Sequence, residues 1–148
     1  TGVEHRIELV RELEGVRCYN DSIATSPTRN IAGFHSFNQK LVLIAGGYDK
    51  QIPFEPLAPE ILSHVKVLVL MGATADKIEA TLAACDGFSE SGLLLLHAAS
   101  LEEAIRLARE NAASGDIVTL SPACASFDSY PNFEARGKHF KELVNNLV

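Results

Sequence analysis

The chain has 148 residues, 47% hydrophobic and 22% charged, with thirteen basic against nineteen acidic side chains and a formal charge of −6. That length is enough for one domain burying roughly 70% of its unfolded surface, and the composition excludes a disordered chain, a collagen-like repeat and a disulfide-built mini-protein. The acidic balance argues against nucleic acid or an anionic membrane as partner, and no apolar run reaches the roughly 18 residues of a membrane span.

The three cysteines, Cys18, Cys85 and Cys124, have no metal-ligand spacing, and an odd count argues against a disulfide framework. They read as reduced, mostly buried thiols of a cytoplasmic protein. The first residues, Thr1-Gly2-Val3-Glu4, have no signal-peptide character and no initiator Met. A processed chain or a piece of something longer is therefore expected.

In chain order, Ile7–Val10 and Val16–Tyr19 flank Glu14-Gly15 and predict a hairpin. Ser26-Pro27 is a helix start, with Ser as N-cap and Pro at the first helical position. That helix would bury Ile31, Phe34 and Phe37. Beyond Gln39 come short continuous apolar runs, Leu41–Ile44, Val67–Leu70, Leu93–Leu96 and Ile117–Leu120. Their uniform hydrophobicity predicts strands of a parallel sheet covered on both faces.

Between the runs, Ile78, Leu82 and Cys85 recur at helical spacing after Thr74, and Leu101, Ala104, Ile105 and Ala108 after Ser100. Ser100 and Glu103 form a capping-box pair. The stretch from Asn132 to Leu147 carries Phe133, Phe140, Leu143 and Leu147 on one helical face. Strand alternating with helix predicts a single three-layer α/β/α domain over 1–148, with a mostly parallel sheet and an N-terminal β-hairpin.

Ligands of such sheets bind beyond the carboxyl ends of the strands, so the segments after the apolar runs are the candidates. Gly46-Gly47-Tyr48-Asp49-Lys50 reads either as a plain strand-exit turn or as an anion site, two glycines allowing close backbone approach and Lys50 adding a cation. It is neither a Walker loop nor a dinucleotide fingerprint. Ser121–Asp128 offers small residues and hydroxyls for a carboxylate or phosphate, with Cys124 read as a buried structural thiol rather than a nucleophile. Asn20–Ser26 can cap and turn, or can present Thr25 to a ligand at a helix N-terminus. The five histidines, His5, His35, His64, His97 and His139, show no ligand spacing.

Five segments together carry a resemblance. They are His5-Arg6, Asn20-Asp21-Ser22-x-Ala24-Thr25, Gly46-Gly47-x-Asp49-Lys50, Ser121-Pro122-Ala123-Cys124-Ala125-Ser126-Phe127-Asp128 and Asn132-Phe133-Glu134-x-Arg136-Gly137. No single segment is specific, but their succession, over nearly the whole chain, is similar to the C-terminal domain of the Mur ligases. The last two segments resemble the D-glutamate-adding branch.

The resemblance implies a Rossmann-like, amino-acid-binding domain of a monomeric cytoplasmic enzyme of peptidoglycan synthesis. Its N-terminal and central ATPase domains lie outside these residues, and the domain alone is expected to be inactive. In that family ATP, with Mg²⁺, activates UDP-N-acetylmuramoyl-L-alanine as an acyl phosphate, which the amine of D-glutamate attacks. ATP and Mg²⁺ would be bound mainly by the central domain.

By the same resemblance Arg6 and Asp21 face the nucleotide. Thr25, Lys50 and Ser126 hold the D-glutamate side-chain carboxylate, and Phe127 and Phe133 pack around that substrate. His5 lies near the phosphates, and metal ligands are expected from none of these residues. Ile23 departs from the family, where lysine is frequent, and takes no role. Two other readings remain open at this point: another Mur or folylpolyglutamate-type ligase domain, or a stand-alone α/β binding module.

Overall fold

Glu14 and Gly15 both have positive φ, 53° and 81°, which a two-residue type I′ turn requires. They close a hairpin of β1 (Glu8–Leu13) and β2 (Val16–Asn20), with Leu13 opposite Val16. The computed structural model describes residues 3–126 and 129–147. β1 begins at Glu8 rather than Ile7 because the Ile7 N–H is diverted to the Asp21 carboxylate.

After the hairpin come α1 (Pro27–Phe34), β3 (Leu41–Ala45), α2 (Leu57–His64), β4 (Val65–Leu70) and α3 (Ala75–Ala83). β5 (Leu94–His97), α4 (Leu101–Glu110), β6 (Ile117–Leu120) and α5 (Phe133–Asn145) complete the chain. The predicted caps form, Ser26 accepting from the Arg29 N–H, and Asn132, not foreseen as a cap, accepts from that of Ala135. Ser100 accepts from the Glu103 N–H, while the Glu103 carboxylate reaches back to the Ala99 N–H.

One sheet holds all six strands in the order β1-β2-β6-β3-β4-β5, parallel throughout except for β1. Alternate residues of each central strand feed opposite cores. Leu41 and Leu43 join Leu68 and Leu70 beneath α1, α2 and α3. Val42 and Ile44 join Val67, Val69, Val118 and Leu120 beneath α4 and α5. Burial on both faces is the reason these runs are apolar without alternation. The domain is thus a mixed three-layer α/β fold of Rossmann-like type.

Other elements also differ from the sequence prediction. α1 ends at Phe34, so Phe37 lies beyond the helix and packs edge-on against Tyr19. α2 was not foreseen, because Pro56 and Pro59 punctuate its start; Pro59 falls in the first turn, where no intrahelical N–H is needed. β5 is an edge strand whose Leu94 remains 42% exposed, so it is not covered on both faces.

The chain leaves β3 towards β4 on one face and leaves β6 towards α5 on the other. A crevice therefore opens between the carboxyl ends of β3 and β6, the topological switch point where α/β sheets bind ligands.

Candidate functional site

Three loops meet at this crevice and are joined through backbone. The Ala123 N–H donates to the Ala24 carbonyl at 2.8 Å, the Gly46 N–H to Pro122 at 2.9 Å, and the Tyr48 N–H to Ala125 at 2.8 Å. Thr25, Lys50 and Ser126 thus stand on segments that are hydrogen-bonded to one another. A Cβ on Gly46 would lie 2.0 Å from the Met71 carbonyl oxygen, and one on Gly47 2.5 Å from that of Ala125. Both glycines have positive φ, so this loop can only be made without side chains.

Thr74, buried ahead of α3, does not cap that helix. Its hydroxyl accepts from the Gly47 N–H at 3.0 Å and lies 3.3 Å from the Cys124 sulfur. Cys124 is 2% exposed and sits in the core, as a structural thiol should.

Lys50 is exposed and has no ion pair or hydrogen bond to the described residues. Its neighbour Asp49 is held instead by Lys77 at 3.2 Å and by the Gln51 N–H at 2.8 Å. The Gln51 N–H, then Lys77, keep the Asp49 carboxyl below its ordinary range. The loop therefore presents a cation whose neighbour in sequence, Asp49, is already paired with Lys77. Ser126 is buried, and Thr25 and Phe133 are half-buried. Phe127 lies outside the described residues.

Arg6 and Asp21 line one pocket of about 150 Å³, together with Ile23, Arg29 and Gly33. Asp21 is 4% exposed, and burial pushes its carboxyl up to about 6. The Ile7 N–H (3.2 Å), the Ser121 hydroxyl (3.2 Å), Arg6 and Arg29 oppose that rise. Arg29 went unnoticed in the sequence; its only signal was a position in the first turn after Ser26-Pro27. A larger cavity of about 460 Å³ opens at the same sheet edge between Gly46-Gly47, the start of α4 and α5. None of Arg6, Asp21, Thr25, Lys50, Ser126 and Phe133 lines it, so size alone does not mark the site.

The segment His5-Arg6 is fastened under the Asn20–Ser22 turn. The Asn20 amide donates to His5 Nδ1 at 2.8 Å, which puts the imidazole proton on Nε2. Its ring lies edge-on to Phe133, 5.9 Å between centroids. His5 is 4% exposed and its place is structural as well as adjacent to Arg6.

A sequence profile described as "Mur ligase, glutamate ligase domain" matches residues 5–124. This chain belongs to the Mur ligase family. It is 58% identical over 146 residues to a UDP-N-acetylmuramoylalanine–D-glutamate ligase of Clostridium acetobutylicum, covering 99% of this chain and 32% of that protein. The corresponding ligase of Acetivibrio thermocellus is 57% identical over 151 aligned positions, with the same coverage.

Among solved structures, the bifunctional folylpolyglutamate synthase/dihydrofolate synthase of Yersinia pestis, complexed with AMPPNP and a Mn ion, superposes with a TM-score of 0.66 at 15% identity. It matches over 97% of this chain and 32% of its own, and shares the fold. The chain spans about a third of the length of the curated relatives it matches. Among the described residues no helix is long and apolar enough to cross a membrane.

Proposed function

We propose that this chain is the amino-acid-binding domain of a ligase that joins D-glutamate to UDP-N-acetylmuramoyl-L-alanine at the expense of ATP. The observation that carries the reading is the identity of 58% to D-glutamate ligases across 99% of the chain. The site supports it chemically, because three backbone-joined loops carry Thr25, Lys50 and Ser126 at the switch-point crevice.

In this reading Lys50 pairs with the side-chain carboxylate of D-glutamate, and the Thr25 and Ser126 hydroxyls donate to the same group. Charge-assisted hydrogen bonds to a carboxylate are the strong ones. Lys50 is free to make one because Lys77 occupies Asp49. Phe127 and Phe133 would pack around the substrate backbone. Holding the carboxylate end fixes where the amine points, so the amine meets the face of the activated carboxyl carbon in a reactive orientation rather than by chance encounter.

Arg6 and Arg29 flank a pocket suited to nucleotide phosphates, and Asp21 can accept from ribose hydroxyls on its rim. The described residues at this site do not fit a Mg²⁺ ion. The carboxylates there are single: Asp21 is held by Ile7 and Ser121, and Asp49 by Lys77 and Gln51. The ion and most ATP contacts belong to a central domain of the longer protein, closing against this domain when substrates are loaded.

Substrate profiling of the full-length protein tests the reading. Turnover with D-glutamate and none with meso-diaminopimelate is the expected outcome. The reverse preference would move the chain to another branch of the family.

A further inference from the structure

At the amino ends of the strands, opposite the crevice, two histidines far apart in sequence converge on one carboxylate. His35 caps the C-terminal end of α1, and Glu60 and His64 lie one turn apart at the end of α2. His35 Nε2 is 3.0 Å from Glu60 Oε1, and His64 Nε2 is 3.6 Å from the same oxygen. The two imidazole rings stand 4.9 Å apart, and the three donor atoms all lie within 4.8 Å of one another.

We propose that His35, Glu60 and His64 form a binding site for a divalent transition metal of the zinc class. Tetrahedral zinc with bonds of about 2.0–2.1 Å places neighbouring donor atoms about 3.3 Å apart, and the observed 3.0 and 3.6 Å bracket that spacing. Two imidazoles and one carboxylate select zinc, nickel or copper over magnesium or calcium, which prefer all-oxygen sets.

His64 is steadied by the Phe34 ring, 6.0 Å away, and only 31% of its side chain is exposed; His35 is 60% exposed and leaves a coordination position open to water. A metal takes one lone pair from each ring and one from the shared carboxylate, which is the arrangement these three side chains already approach.

The site does not depend on the ligase reading and does not overlap it. His64 immediately precedes β4, and His35 precedes β3, so the metal sits at the amino ends of the strands. The crevice lies at their carboxyl ends. A bound ion would tie α1 to α2 without touching the chemistry. A second grouping, Asp76, Glu79 and His97, also brings three donors together but offers one imidazole and two carboxylates.

Cobalt(II) titration of the chelator-treated full-length protein, read by its visible absorption, decides the matter. The wild type is expected to bind a Co²⁺ equivalent with the intense bands of low coordination number, and Zn²⁺ to displace it. His64→Ala and His35→Ala should lose that equivalent while keeping turnover, and His97→Ala should retain it. Should His64→Ala fail to fold, Glu60→Gln makes the same comparison with almost no change of shape. Equal Co²⁺ binding by wild type and the His64 or Glu60 variant overturns the proposal, as does loss of the bands in His97→Ala.

Discussion

Arg136 on α5 grips Ser22 at both ends of that residue, Nε donating to the hydroxyl at 3.0 Å and Nη2 to the carbonyl at 2.9 Å. The Ser22 hydroxyl in turn donates to the Phe133 carbonyl at 2.7 Å. Arg136 is 1% exposed, so these bonds are made out of water, where the directionality of a planar guanidinium matters most. Through Ser22 the helix fixes the turn that carries Asp21 and leads to Thr25.

Arg136→Lys is therefore not conservative. An ammonium cannot reproduce two parallel bonds, and hydrogen bonds to charged groups are worth about 1.5–3 kcal/mol each. The variant should lose about 2 kcal/mol, read as a lower urea midpoint with unchanged slope. A midpoint equal to wild type would show that the grip is dispensable.

Glycine substitutions should divide sharply by surroundings. Gly46→Ala drives a methyl group against the Met71 carbonyl, 2.0 Å away, whereas Gly87, also at positive φ, has nothing within 4 Å. Gly87→Ala is expected to cost about 1 kcal/mol from its backbone conformation alone. Gly46→Ala must move a strand end as well and should leave little folded protein. Gly137→Ala meets His5 Nδ1 at 2.2 Å and should fall between the two. Thermal melting of the three variants orders them.

Asp21 should titrate far from an ordinary carboxyl. Burial raises it from 3.8 to about 6, so the folded form takes up its proton more readily than the unfolded one. Its contribution to stability is thus greatest below about pH 4 and declines as pH rises through about 6. Asp21→Asn keeps an acceptor for the Ile7 N–H and should remove that slope. Carboxyl-carbon NMR gives the midpoint directly; a value near 4 would contradict the burial account.

Much of this architecture was legible from residue order, for reasons that the structure makes physical. Leu41–Ile44, Val67–Leu70 and Ile117–Leu120 read as strands because both their faces are covered. Ser26 and Ser100 read as caps because each stands directly before a helical pattern, where its hydroxyl meets a free N–H three residues on. α2 was hidden by prolines that the first turn tolerates, and the exposure of β5 by leucines that suit an edge as well as a core.

The site was legible only in part. Gly46-Gly47 and Lys50 announced a loop that approaches something closely. Nothing local showed that Thr74 pins that loop, or that Asp49 serves Lys77 rather than Lys50. His5 and Arg136 lie in segments that carried the family resemblance, yet their contacts bind the Asn20–Ser22 turn in place. The convergence of His35 with His64 depends on α1 packing beside α2, which spacing along the chain does not encode.

The central claim is that Lys50 holds the D-glutamate carboxylate. Steady-state kinetics of Lys50→Ala in the full-length ligase test it most directly. Lys50 is exposed in this domain; once closure of the longer protein takes water from the pair, removing one partner costs about 2–5 kcal/mol, so KM for D-glutamate should rise by about two orders of magnitude or more while KM for ATP stays close to wild type. A Lys50→Ala enzyme that uses D-glutamate with its normal KM would contradict the account.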